Sequence, residues 1–303
     1  MTTIQTTIQN GPFVVTGASG QLGQQVIAIL LEAGAGPIIA ISRSPEKLAD
    51  LVEKGVEVRK GDFNDAATLS TAFSGGKRIL IISTDDLEPG KRLAAHEGAI
   101  AAAKEAGIAH IVYTSLTSPV DGNPITFSTD HSDTEALITD SGTGYTILRN
   151  NLYTDLLLMG GVQSIAMKQH FSAAADGRAG YVTRADCARA AATALMQETE
   201  SRILDITGPA SITQGDIAAI FSEIVGKEIP YIPISVDDLR KAMVDNGLPE
   251  FMANVFASFD DAIMQGYLDV APGDLEALTG QAGQSVHDFL IENKEAILNP
   301  PQH

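Results

Sequence analysis

The chain has 303 residues, 44% of them hydrophobic, and a formal net charge of -18. That length and apolar content can build a large core, enough for one domain or one and a half. The negative charge repels nucleic-acid phosphates and anionic membrane surfaces, so neither is an expected partner.

The first ten residues carry no Lys or Arg, so they are not expected to form a signal peptide. Residues 13–16 are a short apolar run with two valines and read as a buried strand. Gly17, Ser19 and Gly20 then make a tight turn. From Gln21 onward, Leu22, Val26, Ile29 and Leu30 recur at helical spacing. A strand that turns on glycines straight into a helix leaves free backbone N–H groups at the positive end of the helix dipole. Both suit a pyrophosphate. The spacing, Gly17, Gly20 and Gly23, differs by one position from the dinucleotide fingerprint, and a plain strand–turn–helix corner would also want glycines.

Gly34 and Gly36 close this helix, and Pro37 prevents its continuation. Further strands are expected at 38–41, 56–59, 78–82, 110–113, 145–148 and 203–206. Between them come helices at 44–53, with Ser44 as cap and Pro45 at its first position, at 65–73, at 89–106 and at 130–140. Strands apolar on both faces that alternate with helices are the signature of a parallel sheet covered on both sides. The expected fold is therefore α/β, a doubly wound, Rossmann-like parallel sheet with the ligand crevice at the carboxyl ends of its strands.

Past residue 150 the rhythm changes. A helix over 152–167 reads as interrupted at Gly160 and Gly161, and others follow at 186–196, 213–225, 236–246 and 249–265. The Rossmann-like domain is assigned to 12–150, with 181–207 returning to it. A smaller, mostly helical portion at 151–180 and 208–299 would cover the substrate, and 299–303 would fray. The single cysteine, Cys187, excludes an intrachain disulfide and reads as a core residue. No apolar run approaches the ~18 residues of a membrane span. A soluble, reducing, cytoplasmic setting is expected.

An NAD site wants a carboxylate at the end of the second strand. Here the chain reads SRSPEK over 42–47, with Arg43 and Lys47 in place of an acid. A guanidinium can grip the 2′-phosphate of NADP in fork geometry, which favours NADP(H) as cofactor.

These residues carry a family resemblance. The chain resembles the NmrA-like atypical short-chain dehydrogenases and, within them, the type 2 NAD(P)H quinone oxidoreductases and triphenylmethane dye reductases. The matching stretches are VTGASGQLG at 15–23, SRSPEK at 42–47, VEVRKGDF at 56–63, HIVYTS at 110–115, YTILRN at 145–150 and VTRADCARAA at 182–191. The resemblance implies that Gly17, Ser19, Gly20, Gln21 and Leu22 cradle the phosphates, and that Arg43 and Lys47 meet the 2′-phosphate. It places Asp62 and Phe63 beside the adenine, and Ser83 and Thr84 along the ribose and phosphates. Tyr113, Thr114 and Ser115 would flank the nicotinamide.

The usual short-chain dehydrogenase pairs a Tyr with a Lys four residues on, which lowers the phenol's pKa. The residues four beyond the six tyrosines are Thr117, Arg149, Leu157, Ala185, Ser235 and Ala271. None is Lys, and Tyr145 with Arg149 reads as structural. His131 stands near a His of the dye and quinone reductases; it is either a proton donor or polar contact at the nicotinamide, or a capping or surface residue. The histidines show no metal-binding spacing.

A site without the Tyr–Lys pair suits acceptors whose reduction demands little acid. A quinone yields a stable phenolate, and a cationic dye needs only hydride at carbon. The expected activity is NADPH-dependent hydride transfer to a small conjugated acceptor, a quinone or dye-like molecule, with Tyr113 and His131 as the candidate catalytic residues. The alternatives are a dinucleotide-binding redox-sensing regulator without turnover and a specialised catabolic reductase. Oligomeric state is left open.

Overall fold

A computed structural model describes residues 11–88, 90–197 and 199–300. The readings of the first ten residues, of a helix beginning at Pro89 and of the end over 301–303 lie outside the described residues.

In chain order the first half holds β1 (Phe13–Val15), α1 (Gln21–Glu32), β2 (Ile38–Ser42), α2 (Ala49–Glu53), β3 (Glu57–Lys60), α3 (Ala66–Phe73), β4 (Arg78–Ile81), α4 (Lys91–Glu105), β5 (His110–Leu116), α5 (Ser128–Asp140) and β6 (Gly144–Asn150). Then come α6 (Leu157–Met167), β7 (His170–Ser172), β8 (Arg178–Ala179), α7 (Arg184–Gln197), β9 (Arg202–Ile206), β10 (Ile212–Thr213), α8 (Gln214–Val225), β11 (Tyr231–Pro233), α9 (Val236–Asp245), α10 (Glu250–Met264), α11 (Asp274–Thr279), α12 (Val286–Glu292) and α13 (Lys294–Leu298).

Seven strands form one sheet in the order β3-β2-β1-β4-β5-β6-β9. β1 pairs parallel with β2 on one side, Val14 opposite Ile39, and with β4 on the other, Val14 opposite Ile79. The chain thus winds outward through β2 and β3, then returns past β1 to start β4. The strand order reverses between β1 and β4, which is where a doubly wound sheet opens a crevice at its carboxyl edge. The core is the apolar run expected of strands covered on both faces: Val14, Ile39, Ile41, Ile79, Ile81 and Ile111 pack with Leu69 and Phe73 of α3. Cys187 is buried in α7.

The expected strands and helices are present, with instructive departures. β3 is not apolar on both faces: Glu57 and Lys60 are exposed. It is one of the sheet's two edge strands, where charged side chains discourage pairing with another chain. Ser44 does not cap a helix with its side chain, because Pro45–Leu48 forms a 3-10 turn before α2. Its N–H donates instead to Ser42 Oγ at 3.0 Å. The helix at 152–167 is not broken by its glycines; a 3-10 turn over Thr154–Leu156 leads into α6, which runs through both. Gly161 is there for space: a Cβ would lie 2.9 Å from the Phe221 ring and 3.1 Å from Ile297.

Two compact units divide the chain. The first runs through Leu116 and takes in Asp130–Arg149 and Cys187–Leu204; the second is Thr117–Thr129, Asn150–Asp186 and the residues from Asp205 onward. The second contains two small sheets that sequence periodicity does not reveal, β7 with β11 and β8 with β10, each strand only two or three residues long. It also contains a capping box at α8, where Thr213 Oγ1 accepts from the Asp216 N–H and Asp216 Oδ2 accepts from the Thr213 N–H. Among the described residues no helix is long and apolar enough to cross a membrane.

The two glycines of α6 separate packing from propensity. Gly161→Ala should destabilise the protein by about 1–3 kcal/mol through overpacking. Gly160→Ala, whose Cβ would meet nothing within 4 Å, should stabilise it by roughly 0.5–1 kcal/mol. Urea unfolding of both variants checks this; equal effects would contradict the packing account.

Candidate active site

The site is built on strand ends of the first unit. Gly17 leaves β1 at φ +60°, a left-handed conformation that favours glycine. The Gly20 N–H donates back to the Gly17 carbonyl at 2.9 Å, and the Ala18 N–H donates to the Ile41 carbonyl at 3.0 Å. A side chain at Gly23 would run into the Gly17 carbonyl oxygen. α1 therefore begins right against the end of β1. Gly20, its N-cap, supplies no side chain to cap it, and its first turn holds no acidic residue. Gly17, Gly20 and Gln21 are exposed, whereas the Leu22 side chain lies in the core. Ser19 is tied to the second strand, its Oγ accepting from Ser42 Oγ at 3.0 Å.

Just beyond β2, Arg43 and Lys47 are both exposed. The end of β3 is shaped by Asp62, whose Oδ1 accepts from the Asn64 N–H at 3.0 Å. Phe63, next to it, packs against the core and presents its ring to His96, centroids 6.5 Å apart at 82°.

Beyond the end of β4 the backbone is held by side chains. The Ile82 N–H donates to Thr16 Oγ1 at 3.0 Å, the Ser83 N–H to Thr114 Oγ1 at 2.9 Å, and the Thr84 N–H to His96 Nε2 at 3.0 Å. His96, on α4, is fully buried and was not singled out by sequence reasoning. Its Nδ1 lies 3.0 Å from Thr134 Oγ1 and 3.4 Å from the Tyr113 hydroxyl. The Tyr113 hydroxyl lies 2.8 Å from His131 Nδ1. One proton arrangement satisfies these contacts. His96 Nε2 accepts from Thr84, its Nδ1–H donates to Thr134, Thr134 donates to the Asp130 carbonyl at 2.6 Å, and the Tyr113 hydroxyl donates to His131.

His131 is thus neither a surface nor a capping residue: only 3% of it is exposed. Burial, and then the positive Arg92, hold its pKa well below the ordinary imidazole value. The same two causes bring His96 down to about 3. Burial pushes the Tyr113 phenol well above its usual range. All three groups are neutral near pH 7, so the arrangement contains a hydrogen-bonded phenol–imidazole pair rather than an imidazolium.

Ser115, two residues along β5 from Tyr113, also bonds to α5. Its Oγ donates to Glu135 Oε1 at 2.6 Å, and Arg149 grips the same carboxylate with Nε at 3.0 Å and a terminal nitrogen at 2.6 Å. That bidentate pair accounts for Arg149 as a structural residue. In the second unit, Asn150 ends β6 almost fully buried, with neither side-chain polar atom hydrogen-bonded among the described residues; the Thr154 and Thr207 hydroxyls share that condition. Sequence reading did not single out any of the three.

A doubly wound sheet whose first strand turns on glycine into an uncapped helix is the architecture of Rossmann-like nucleotide-binding proteins. The chain belongs to the NmrA-like family, whose profile matches residues 9–288. Quinone oxidoreductase 2 of Escherichia coli is 35% identical over 256 residues, spanning 84% of this chain and 88% of that protein. The structure of the NADPH-dependent quinone oxidoreductase of Escherichia coli complexed with NADPH superposes with a TM-score of 0.88 at 33% identity, covering 92% of this chain and 99% of that one. Triphenylmethane reductase of Citrobacter sp., complexed with NADP(H), gives 0.84 at 34% identity over 92% of this chain and 99% of that one.

Neutral buried imidazoles leave a signature in acid. His110, at the start of β5, bonds Thr146 Oγ1 at 2.8 Å, and burial followed by the Arg78 charge lowers its pKa from 6.5 to about 4. Below about pH 6.5 the unfolded chain takes up a proton here that the folded chain refuses, so stability falls until about pH 4. His110→Gln should flatten the pH dependence of unfolding free energy in that window by up to about one proton. Urea titrations at several pH values measure it; an unchanged slope would contradict the neutral His110.

Proposed function

We propose that this protein is an NADPH-dependent reductase that passes hydride directly to a quinone or similar conjugated acceptor. The observation that carries the cofactor assignment is the meeting of two features on adjacent strands. An uncapped helix start lies behind the Gly17 turn, and two exposed cations, Arg43 and Lys47, follow β2 where an NAD site would hold an acid. The turn fits a pyrophosphate, because glycine leaves its backbone open and the first amides of α1 face a negative group. Arg43 and Lys47 supply charge for the 2′-phosphate. The kinship with the NADPH-complexed reductases supports the same reading.

NADPH supplies the hydride. The chain's own part is to hold and orient: the glycine turn takes the phosphates, the side-chain-tethered segment after β4 takes the ribose side, and the end of β5 borders the nicotinamide. The protonation of the buried groups supports the reaction class. Tyr113 keeps its proton in a bond to His131 and gives it up reluctantly, and His131 holds no extra proton to donate. Neither is primed to protonate an alkoxide, the strongly basic product of an ordinary ketone. A quinone delivers a phenolate that water can protonate.

Arg43→Asp tests the assignment. Losing a charged contact of ~1.5–3 kcal/mol should raise the NADPH dissociation constant roughly ten- to hundredfold, with little effect on NADH. The unaltered protein should oxidise NADPH when a simple benzoquinone is added. Equal effects on both cofactors would remove Arg43 from the site, and no oxidation would overturn the reaction.

A further inference from the structure

We propose that His96 is a positioning residue of the cofactor site, fixing the course of the chain after β4 and the direction of the Tyr113 hydroxyl. This rests on the reading of the site as an NADPH site.

Three consecutive amides after β4, those of Ile82, Ser83 and Thr84, bond to side chains instead of to a neighbouring strand. Their acceptors come from three different elements: Thr16 follows β1, Thr114 lies on β5 and His96 lies on α4. Over 82–88 the segment they hold has no regular structure, so its path at the sheet's carboxyl edge depends on those three acceptors. Two of them are hydroxyls that also bond elsewhere: Thr16 Oγ1 donates to the Leu80 carbonyl at 2.9 Å, and Thr114 Oγ1 is 3.5 Å from Ser83 Oγ. His96 differs in reach. Its ring stands edge-on to Tyr113, centroids 5.4 Å apart, and near Phe63, while its second nitrogen bonds Thr134 of α5.

One imidazole therefore touches the ends of β3 and β4, the middle of β5 and the first turns of α5. Phe63, Thr84 and Tyr113, its partners, are all residues that the site reading puts against NADPH. A histidine that merely filled the core would satisfy its nitrogens on any nearby group. Here Nε2 binds the backbone of the loop itself. Nδ1–H faces both Thr134 and the Tyr113 oxygen, which leaves the phenol proton directed at His131.

The experiment is NADPH binding without acceptor, followed by fluorescence, together with hydrogen exchange of a peptide spanning 82–88. His96→Phe keeps a ring but loses both bonds. It should speed exchange in that peptide and raise the NADPH dissociation constant about tenfold. His96→Gln, whose amide oxygen can still accept from Thr84, should restore most of both. Should His96→Phe fail to fold, His96→Asn, too short to reach the Thr84 N–H, carries the same expectation. Loss of thermal stability in these variants with unchanged NADPH affinity would show a purely structural role and overturn the inference while leaving the proposed function standing. So would a His96→Gln variant no better than His96→Phe. If the unaltered protein binds no NADPH, the proposed function and this inference fall together.

Discussion

The carboxyl edge of the sheet depends on how sharply the chain can turn after β1. Gly17 takes a left-handed conformation there, and Gly23 has no side chain to meet the Gly17 carbonyl oxygen. α1 consequently starts against the end of β1 instead of a residue or two away. Its positive end, with no capping side chain and no acid in its first turn, lies at the strand-order reversal between β1 and β4. Ser42 extends this constraint to the neighbouring strand: its Oγ donates to Ser19 and accepts from the Ser44 N–H, so the path toward Arg43 is tied to the turn.

A second constraint is electrostatic. The interior beside β5 holds a phenol and two imidazoles close to a buried arginine. Burial disfavours charge on each imidazole, and Arg92 adds to that effect. The result is a neutral network whose protons are already committed to partners. Such a network orients groups well and donates protons poorly. That balance fits hydride transfer to an acceptor whose reduced form is a stable anion, because there the protein's contribution is placement more than acid catalysis.

Much of the fold was legible because parallel strands buried on both faces leave unbroken apolar runs, as at 38–41 and 79–81. What escaped reading has physical reasons. β3 kept its place but not its expected burial, since an edge strand is shaped by exposure that periodicity does not encode. Gly160 and Gly161 looked like a helix break, yet one is needed so that Phe221 can approach α6. Two- and three-residue strands such as β8 and β10 carry no period at all. In the site, the glycine turn and Arg43 stand out locally in sequence. His96 does not: it sits in an alanine-rich helix, and its partners Thr84, Tyr113 and Thr134 are distant or unremarkable residues that only the folded sheet brings together. The bond from Ser115 to Glu135, which Arg149 also grips, joins positions that no local pattern connects.

The central claim is that hydride passes straight from NADPH to the acceptor on a site that supplies placement. Its most direct test is a single-turnover reaction of the flavin-free protein with 4,4-dideuterated NADPH and a cationic triarylmethane dye, because the reduced dye keeps at carbon the hydrogen it receives. The account predicts one deuterium in the reduced dye when the reaction runs in ordinary water, and a slower turnover than with unlabelled NADPH if transfer limits the rate. A reduced dye carrying hydrogen from solvent instead, or turnover only after a flavin is added, would contradict it.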